Sequence, residues 1–245
     1  MTLDEASLTA LAALGDELRR RMFEFVRTEH RPVTREEVAA QVGISRKLAA
    51  FHLDKLVTAG LLQAHYAPPA GIRKVGRWPK TYVPAVCGIT VSIPERRYEM
   101  LADILTEAVV TEAPGERAHQ SALRIAADRG RAVGTAERER MRPGRLGAER
   151  GLSLAAETLE RFGYEPQRAA AMLVRLRNCP FHPLAAKAPE LVCGINCAFL
   201  AGYLEGLGSD NTTAVLAPTP GMCCVELRGV GHQDRPAQGD AACGR

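Results

Sequence analysis

Five of the seven cysteines in this chain fall between positions 179 and 224: Cys179, Cys193, Cys197, Cys223 and Cys224. His182 follows the first by three residues. Thiolates are soft donors suited to iron–sulfur clusters or zinc, and a neutral imidazole can complete either set. No C-x-x-C pair occurs, which argues against a zinc ribbon or finger, whose ligands come in tight local pairs. Dispersed ligands make such a site depend on the fold of a whole domain, so losing the metal should loosen that domain. A metal-free thiol switch fits the same residues. So, more remotely, does a hydrolase with Cys179 as nucleophile and His182 as base. That pair straddles Pro180 with no evident orienting partner or oxyanion hole, and the expectation is that the chain is not an enzyme.

The elements that must position these thiols can be read from patterning. Leu152 to Phe162 is amphipathic, and Met172 to Arg177 alternates as a strand ending at Asn178-Cys179-Pro180. Pro189 opens a helix running from Glu190 to Leu207, with Gly208 as its stop. Cys193 and Cys197 lie one turn apart on it and share a face. Two strands, Thr212 to Leu216 and Met222 to Leu227, follow around a Pro-Thr-Pro-Gly turn. On such a strand Cys223 and Cys224 point to opposite sides, so only one is expected to be a ligand.

The bulk composition bounds the setting. With 245 residues, 46% hydrophobic and 24% charged, the chain is long enough for two modest domains of an ordinary soluble protein. Its net charge of +4 is mild, so any basic surface must be local. The acidic opening Met1-Thr2-Leu3-Asp4-Glu5 is not a secretory signal, and the uncharged stretch Leu191 to Leu204 is too short to span a bilayer. A cytoplasmic protein with no membrane partner is expected, and there clustered cysteines serve metals or redox chemistry more often than disulfide frameworks.

The front third carries a different pattern. Leu11, Leu14, Leu18, Met22, Phe25 and Val26 mark one face of a helix ending near His30. Thr34-Arg35-Glu36-Glu37 is a capping box, and Gly43 ends the short helix it opens. Ser45 caps a third helix to Thr58 that buries Ala49, Leu53 and Leu56. Its other side shows Lys47, Phe51, Asp54 and Lys55, with Ala50 at the edge. Two helices joined by a tight turn, the second with a basic outward side, match a DNA-binding helix-turn-helix. Gln63 to Tyr66 and Lys80 to Val83 then alternate as a strand pair. Between them Arg73, Lys74 and Arg77, with Lys80 just after, form a basic, acid-free wing suited to phosphates. The expected interface is Ser45, Arg46, Lys47, Ala50, Phe51 and Lys55 with the wing's Arg73, Lys74, Arg77 and Lys80. Arg46 and Lys47 have the donors to read guanine, and Phe51 can meet a thymine methyl.

Two sets of residues carry a resemblance. Leu14-Gly15-Asp16 with Arg19-Arg20, the run from Ser45 to Leu56, and Gly60-Leu61 resemble the ArsR-like winged-helix repressors. Gly76-Arg77-Trp78-Pro79-Lys80-Thr81-Tyr82 is similar to the wing of a subgroup that includes the iron–sulfur repressors of the suf cluster-assembly operon. Asn-Cys-Pro-Phe-His at 178–182, Leu-Val-Cys at 191–193 and the Cys-Cys at 223–224 also resemble that subgroup. The resemblance implies a repressor holding an iron–sulfur cluster through Cys179, Cys193 and one of Cys223 or Cys224. Cys197 and His182 are added by proximity alone, and zinc is the alternative occupant.

The expected fold is mainly α with small β elements. A winged helix-turn-helix occupies 1–86, helical dimerisation and linker segments 87–150, a cysteine-rich α+β sensor domain 151–228, and a disordered tail 229–245. In the dimerisation segment Tyr98, Leu101, Leu105 and Val109 share a helical face. That face is expected to pack on its mate in a homodimer on a double-stranded DNA operator with two half-sites.

Overall fold

The computed structural model describes residues 5–66, 79–85 and 90–230. The chain divides into two compact units, a front unit up to Val91 and a rear unit from Ser92.

In the front unit, α1 (Glu5–Leu14) and α2 (Glu17–Thr28) precede a two-residue strand β1 (Val33–Thr34), α3 (Arg35–Val42), α4 (Arg46–Thr58), β2 (Leu62–Tyr66) and β3 (Lys80–Pro84). The apolar spacing predicts one helix across Leu11 to Val26, and the structure breaks it in two. Asp16 stops it by accepting a hydrogen bond from the Arg19 amide at 2.9 Å, an N-cap that starts α2 afresh. Thr34 and Glu37 form the reciprocal capping box at the head of α3. Gly43, with φ +78°, turns the chain into α4 in a left-handed conformation that glycine adopts without steric penalty. The three strands form an antiparallel sheet in the order β1-β3-β2, with Tyr82 of β3 opposite both Val33 and Ala64. Met22, Val26, Val38, Leu53, Leu56 and Tyr82 close the core above it.

The rear unit holds α5 (Tyr98–Val110), α6 (Ala118–Met141), α7 (Ala148–Glu160), β4 (Pro166–Ala170), β5 (Leu173–Leu176), α8 (Leu184–Lys187), α9 (Pro189–Leu207), β6 (Thr212–Leu216) and β7 (Val225–Gly229). Its sheet is antiparallel throughout, in the order β4-β5-β7-β6. By length and composition α9 is apolar enough to cross a membrane. Here it is the central core helix, buried from Ile195 to Leu200 without a break, as a helix apolar on all sides requires.

Patterning separates a helical region, 87–150, from a cysteine-rich one, 151–228. The structure joins both in one unit, because α6 and α9 meet backbone to backbone. A Cβ placed on Gly130 would lie 2.0 Å from the Phe199 carbonyl oxygen, and one on Gly134 2.2 Å from that of Tyr203. In return, Gly202 and Gly206 would each strike an α6 carbonyl, Ala127 or Arg131, at 2.1 Å. Only glycine permits so close an approach. The α5 face expected to meet a second subunit is also used internally: Leu101, Ile104 and Ala108 are buried in this chain's own core. Of the face as predicted, Tyr98 and Val109 remain exposed, with Val110 beside them. Helical periodicity shows that a face is buried without showing against what.

Candidate functional site

The front unit presents α4 as an exposed basic helix. Ala49, His52, Leu53 and Leu56 hold it to the core, leaving Arg46, Lys47, Phe51, Asp54 and Lys55 in solvent and Ala50 half-buried. Phe51 is 55% exposed, a large apolar ring with no core to fill, and the Lys55 ammonium lies 5.7 Å from its centroid. Ser45 is engaged as the N-cap, accepting from the Leu48 amide at 3.2 Å. Lys80 pairs with Asp54 of α4 and sits 5.3 Å from the Tyr82 ring centroid. That pair fastens β3 to the basic helix and occupies a lysine expected on phosphate. Arg73, Lys74 and Arg77 lie outside the described residues, as do Trp78, Cys87 and Cys243.

A family model described as a helix-turn-helix domain matches residues 14–63, which run from the end of α1 into β2. The front unit carries a helix-turn-helix domain. No curated protein matches the chain. The helix-turn-helix domain supports a DNA-binding transcriptional regulator.

In the rear unit the free thiols among the described residues are Cys179, Cys193, Cys223 and Cys224, and three elements bring them together. Cys179 stands in the loop after β5, Cys193 on the first turns of α9, and Cys223-Cys224 in the turn that leads into β7. The last strand begins at Val225, three residues later than its patterning predicts. The vicinal cysteines are therefore not in strand alternation, and both join the group. The Cys223 amide donates to the Leu176 carbonyl at 2.7 Å, and the Cys224 carbonyl accepts from the Ala217 amide at 2.8 Å. These bonds fix the turn between the ends of β5 and β6.

The four thiols form a row. Each acts on the next, Cys179 on Cys223, Cys223 on Cys224, and Cys224 on Cys193. The Cys223 bond and burial push the Cys179 thiol far up. Cys224 is pushed up to about 12 by its bond to Cys193, and burial adds to this. For Cys223 the bond from Cys179 acts downward, but Cys224 and burial outweigh it and hold the thiol at about 12. Cys193 is lowered by the bond from Cys224. Among the described residues, no three His, Cys, Asp or Glu side chains already surround one point at metal-binding spacing.

Amide groups lie near two of the sulfurs. The nearby backbone amides of Phe181 and His182 act downward on the Cys179 thiol, and that of Val225 on Cys223, without offsetting the upward effects. Asn196, fully buried on α9, donates from Nδ2 to Cys223 Sγ at 3.2 Å. Its Oδ1 accepts from the buried Tyr164 hydroxyl at 2.5 Å.

The two auxiliary candidates stand outside the row. Four residues past Cys193, Cys197 lies about 6 Å further along α9. It is sealed in the core, with Sγ 3.9 Å from the Ala214 carbonyl of β6. His182 is exposed and contributes backbone: its amide donates to the Cys179 carbonyl at 3.1 Å and its carbonyl accepts from the Tyr98 hydroxyl at 2.7 Å.

A polar clamp holds the Cys179 loop to the start of α5. Arg96 Nη1 donates to Asn178 Oδ1 at 2.5 Å and to the Cys179 carbonyl at 3.1 Å. Asn178 Nδ2 donates to the carbonyls of Gly163 and Glu95, and the Arg97 amide to that of Pro180. Sequence patterning identifies neither Arg96 nor Asn196 as functional. Arg96 carries no local signal, whereas Asn196 is a polar exception inside an apolar helix and could have been singled out as one.

Proposed function

We propose that this chain is a homodimeric winged-helix repressor whose DNA binding responds to an iron–sulfur cluster held by Cys179, Cys193, Cys223 and Cys224. The observation that carries this reading is the meeting of four free thiols from three separate segments in one row. The donor set fits the group. Four soft sulfurs come together, no carboxylate takes part in the row, and the buried Asn196 amide donates to the Cys223 sulfur, as donors around metal-bound thiolates do.

A bound cluster supplies one-electron chemistry and sensitivity to oxidants. The remaining work belongs to the chain. Cys179 rides on a loop gripped by Arg96, Arg97 and Tyr98. These residues stand only a few positions after Val91, where the front unit ends. A change in the loop therefore pulls on the segment that leaves the helix-turn-helix domain. Homodimerisation is supported by the two half-sites such domains commonly span. Exposed apolar side chains, Leu8 and Leu11 on α1 and Val109 and Val110 on α5, are available for contact.

The test is iron and acid-labile sulfide analysis with a visible spectrum on protein purified without oxygen. Iron, sulfide and a charge-transfer absorption are expected, all lost in Cys179→Ala. A colourless protein free of iron and sulfide overturns the cluster. The pairwise contacts Cys179–Cys223 and Cys193–Cys224 favour a second reading, a thiol switch or a zinc site on the same front end. Zinc retention, or DNA affinity that changes on disulfide formation by oxidised glutathione, would establish it.

A further inference from the structure

Asn196 is an expensive residue to bury. Its amide has two N–H donors and an acceptor oxygen, and each left unpaired costs stability. Yet it has no exposed surface and stands on α9 between the apolar Ile195 and Phe199 with Cys197 beside it. Its surroundings set its orientation. The Tyr164 hydroxyl, itself buried, donates to Oδ1, so Nδ2 must point the other way, onto Cys223 Sγ. Asn196 follows Cys193 by three residues and so shares a helix face with it. The same turn of α9 delivers one thiol to the row and a fixed donor to another.

The two vicinal cysteines differ sharply in this respect. Cys223 is buried and receives the Asn196 amide. Cys224 is half-buried, and the groups that act on its sulfur are other thiols. A sulfur that accepts N–H donors in an enclosed site can carry negative charge there without water. Donors of this kind around a metal site orient its ligands and set its affinity.

We infer that Asn196, oriented by Tyr164, is a positioning residue of the thiol site that holds Cys223 Sγ in place as a ligand through its amide donor and leaves Cys224 the exchangeable one. The inference rests on the reading of the row as a metal or cluster site. It requires nothing of the occupant except that it bind thiolate.

The experiment uses the full chain, reduced and anaerobic, titrated with Co(II), whose thiolate charge-transfer absorption reports sulfur ligation directly. In Asn196→Leu, which keeps the branched shape but removes the donor, Co(II) binding should weaken about 10- to 100-fold. The charge-transfer band should also move to lower energy at unchanged intensity, because a sulfur that has lost an N–H donor is a stronger electron donor. A purely structural role would weaken binding without moving the band. Tyr164→Phe, which deletes one oxygen and frees the amide to turn, should shift both in the same direction by less; it also serves if the leucine variant does not fold. The Asn196→Leu effect should persist in a Cys224→Ser background and vanish in a Cys223→Ser background. Wild-type binding with an unmoved band and equal affinity in both Asn196→Leu and Tyr164→Phe overturns the inference alone. A wild type with no charge-transfer band overturns the site reading and this inference with it.

Discussion

The two units place their candidate functional residues at opposite depths. In the front unit the residues that would meet DNA are on the surface. Arg46, Lys47, Phe51 and Lys55 are exposed, while Met22, Val26, Leu53 and Leu56 hold α4 in place from beneath. In the rear unit the residues of interest are inside: Cys223 and Asn196 are buried, Cys179 and Cys224 are packed beside the core, and Cys193 is half-buried. The difference teaches which properties can be separated by mutation. A surface site can lose its function and keep its fold, whereas an interior site shares its contacts with the fold that builds it.

The sharpest way to break this contrast is to disturb the rear unit at its tightest contact. In Gly202→Ala the new Cβ would sit 2.1 Å from the Ala127 carbonyl oxygen and 2.8 Å from its carbon, both backbone atoms that cannot swing aside. The helix-propensity gain of about 1 kcal/mol from replacing glycine is outweighed. The helices must separate, and a loss of about 3 kcal/mol is expected. Urea unfolding followed by far-ultraviolet circular dichroism measures it. A stabilised variant would show that α6 and α9 do not meet as described.

A smaller effect is expected on the front surface. Arg46→Ala and Lys47→Ala should each weaken operator binding by about 1–3 kcal/mol where the side chain reads a base. Where it meets a phosphate, the loss should be accompanied by a drop of about 1 in the log–log salt slope. Stability should stay within about 0.5 kcal/mol of wild type, because neither side chain is packed. Titrations at two salt concentrations, alongside urea midpoints, separate the outcomes. A variant that unfolds as readily as it releases DNA would erase the contrast between the units.

The same contrast governs what could be read from the amino-acid order. The helix-turn-helix was legible because its signals are local. The Thr34–Glu37 capping box, the Ser45 cap and the Ala49–Leu53–Leu56 stripe lie within a few residues of each other. The errors there were local too: Asp16 restarts a helix that the apolar spacing alone would continue, and β1, two residues long, has no pattern to show. In the rear unit the cysteines were visible but their assembly was not. Whether Cys223 and Cys224 both join the row depends on three residues of turn before β7, a tertiary choice made by the ends of β5 and β6. Arg96 and Asn178 are eighty-two positions apart, beyond the reach of any periodicity. The i, i+4 glycine pairs at 130/134 and 202/206 carry no patterning that links them, and only the structure shows that each pair fits the other.

Depth, rather than membership in one unit or the other, should then decide how separable a residue is, and the rear unit offers a surface test. At the joint between α5 and α6, Glu116 accepts from Arg124 Nε at 3.0 Å and Nη2 at 2.9 Å, and from the Ala113 amide at 3.2 Å. The Arg124 hydrogen bonds, with the Ala113 amide, hold its carboxyl down from an ordinary 4.5 to about 2. The depressed value fixes the sign. The folded state favours the ionised carboxylate, so the stabilisation is fully present above pH 4.5 and is lost as the pH falls from there through about 2. Glu116→Gln removes this pH-dependent part. The gap in urea midpoint between wild type and variant should therefore be present at pH 7 and narrower at pH 3. It should be small at both, since water and salt screen an exposed ion pair. DNA binding should be unaffected. A gap that widens on acidification, or one as large as that of Gly202→Ala, would mean that a surface pair of the rear unit is as deeply bound into the fold as its interior.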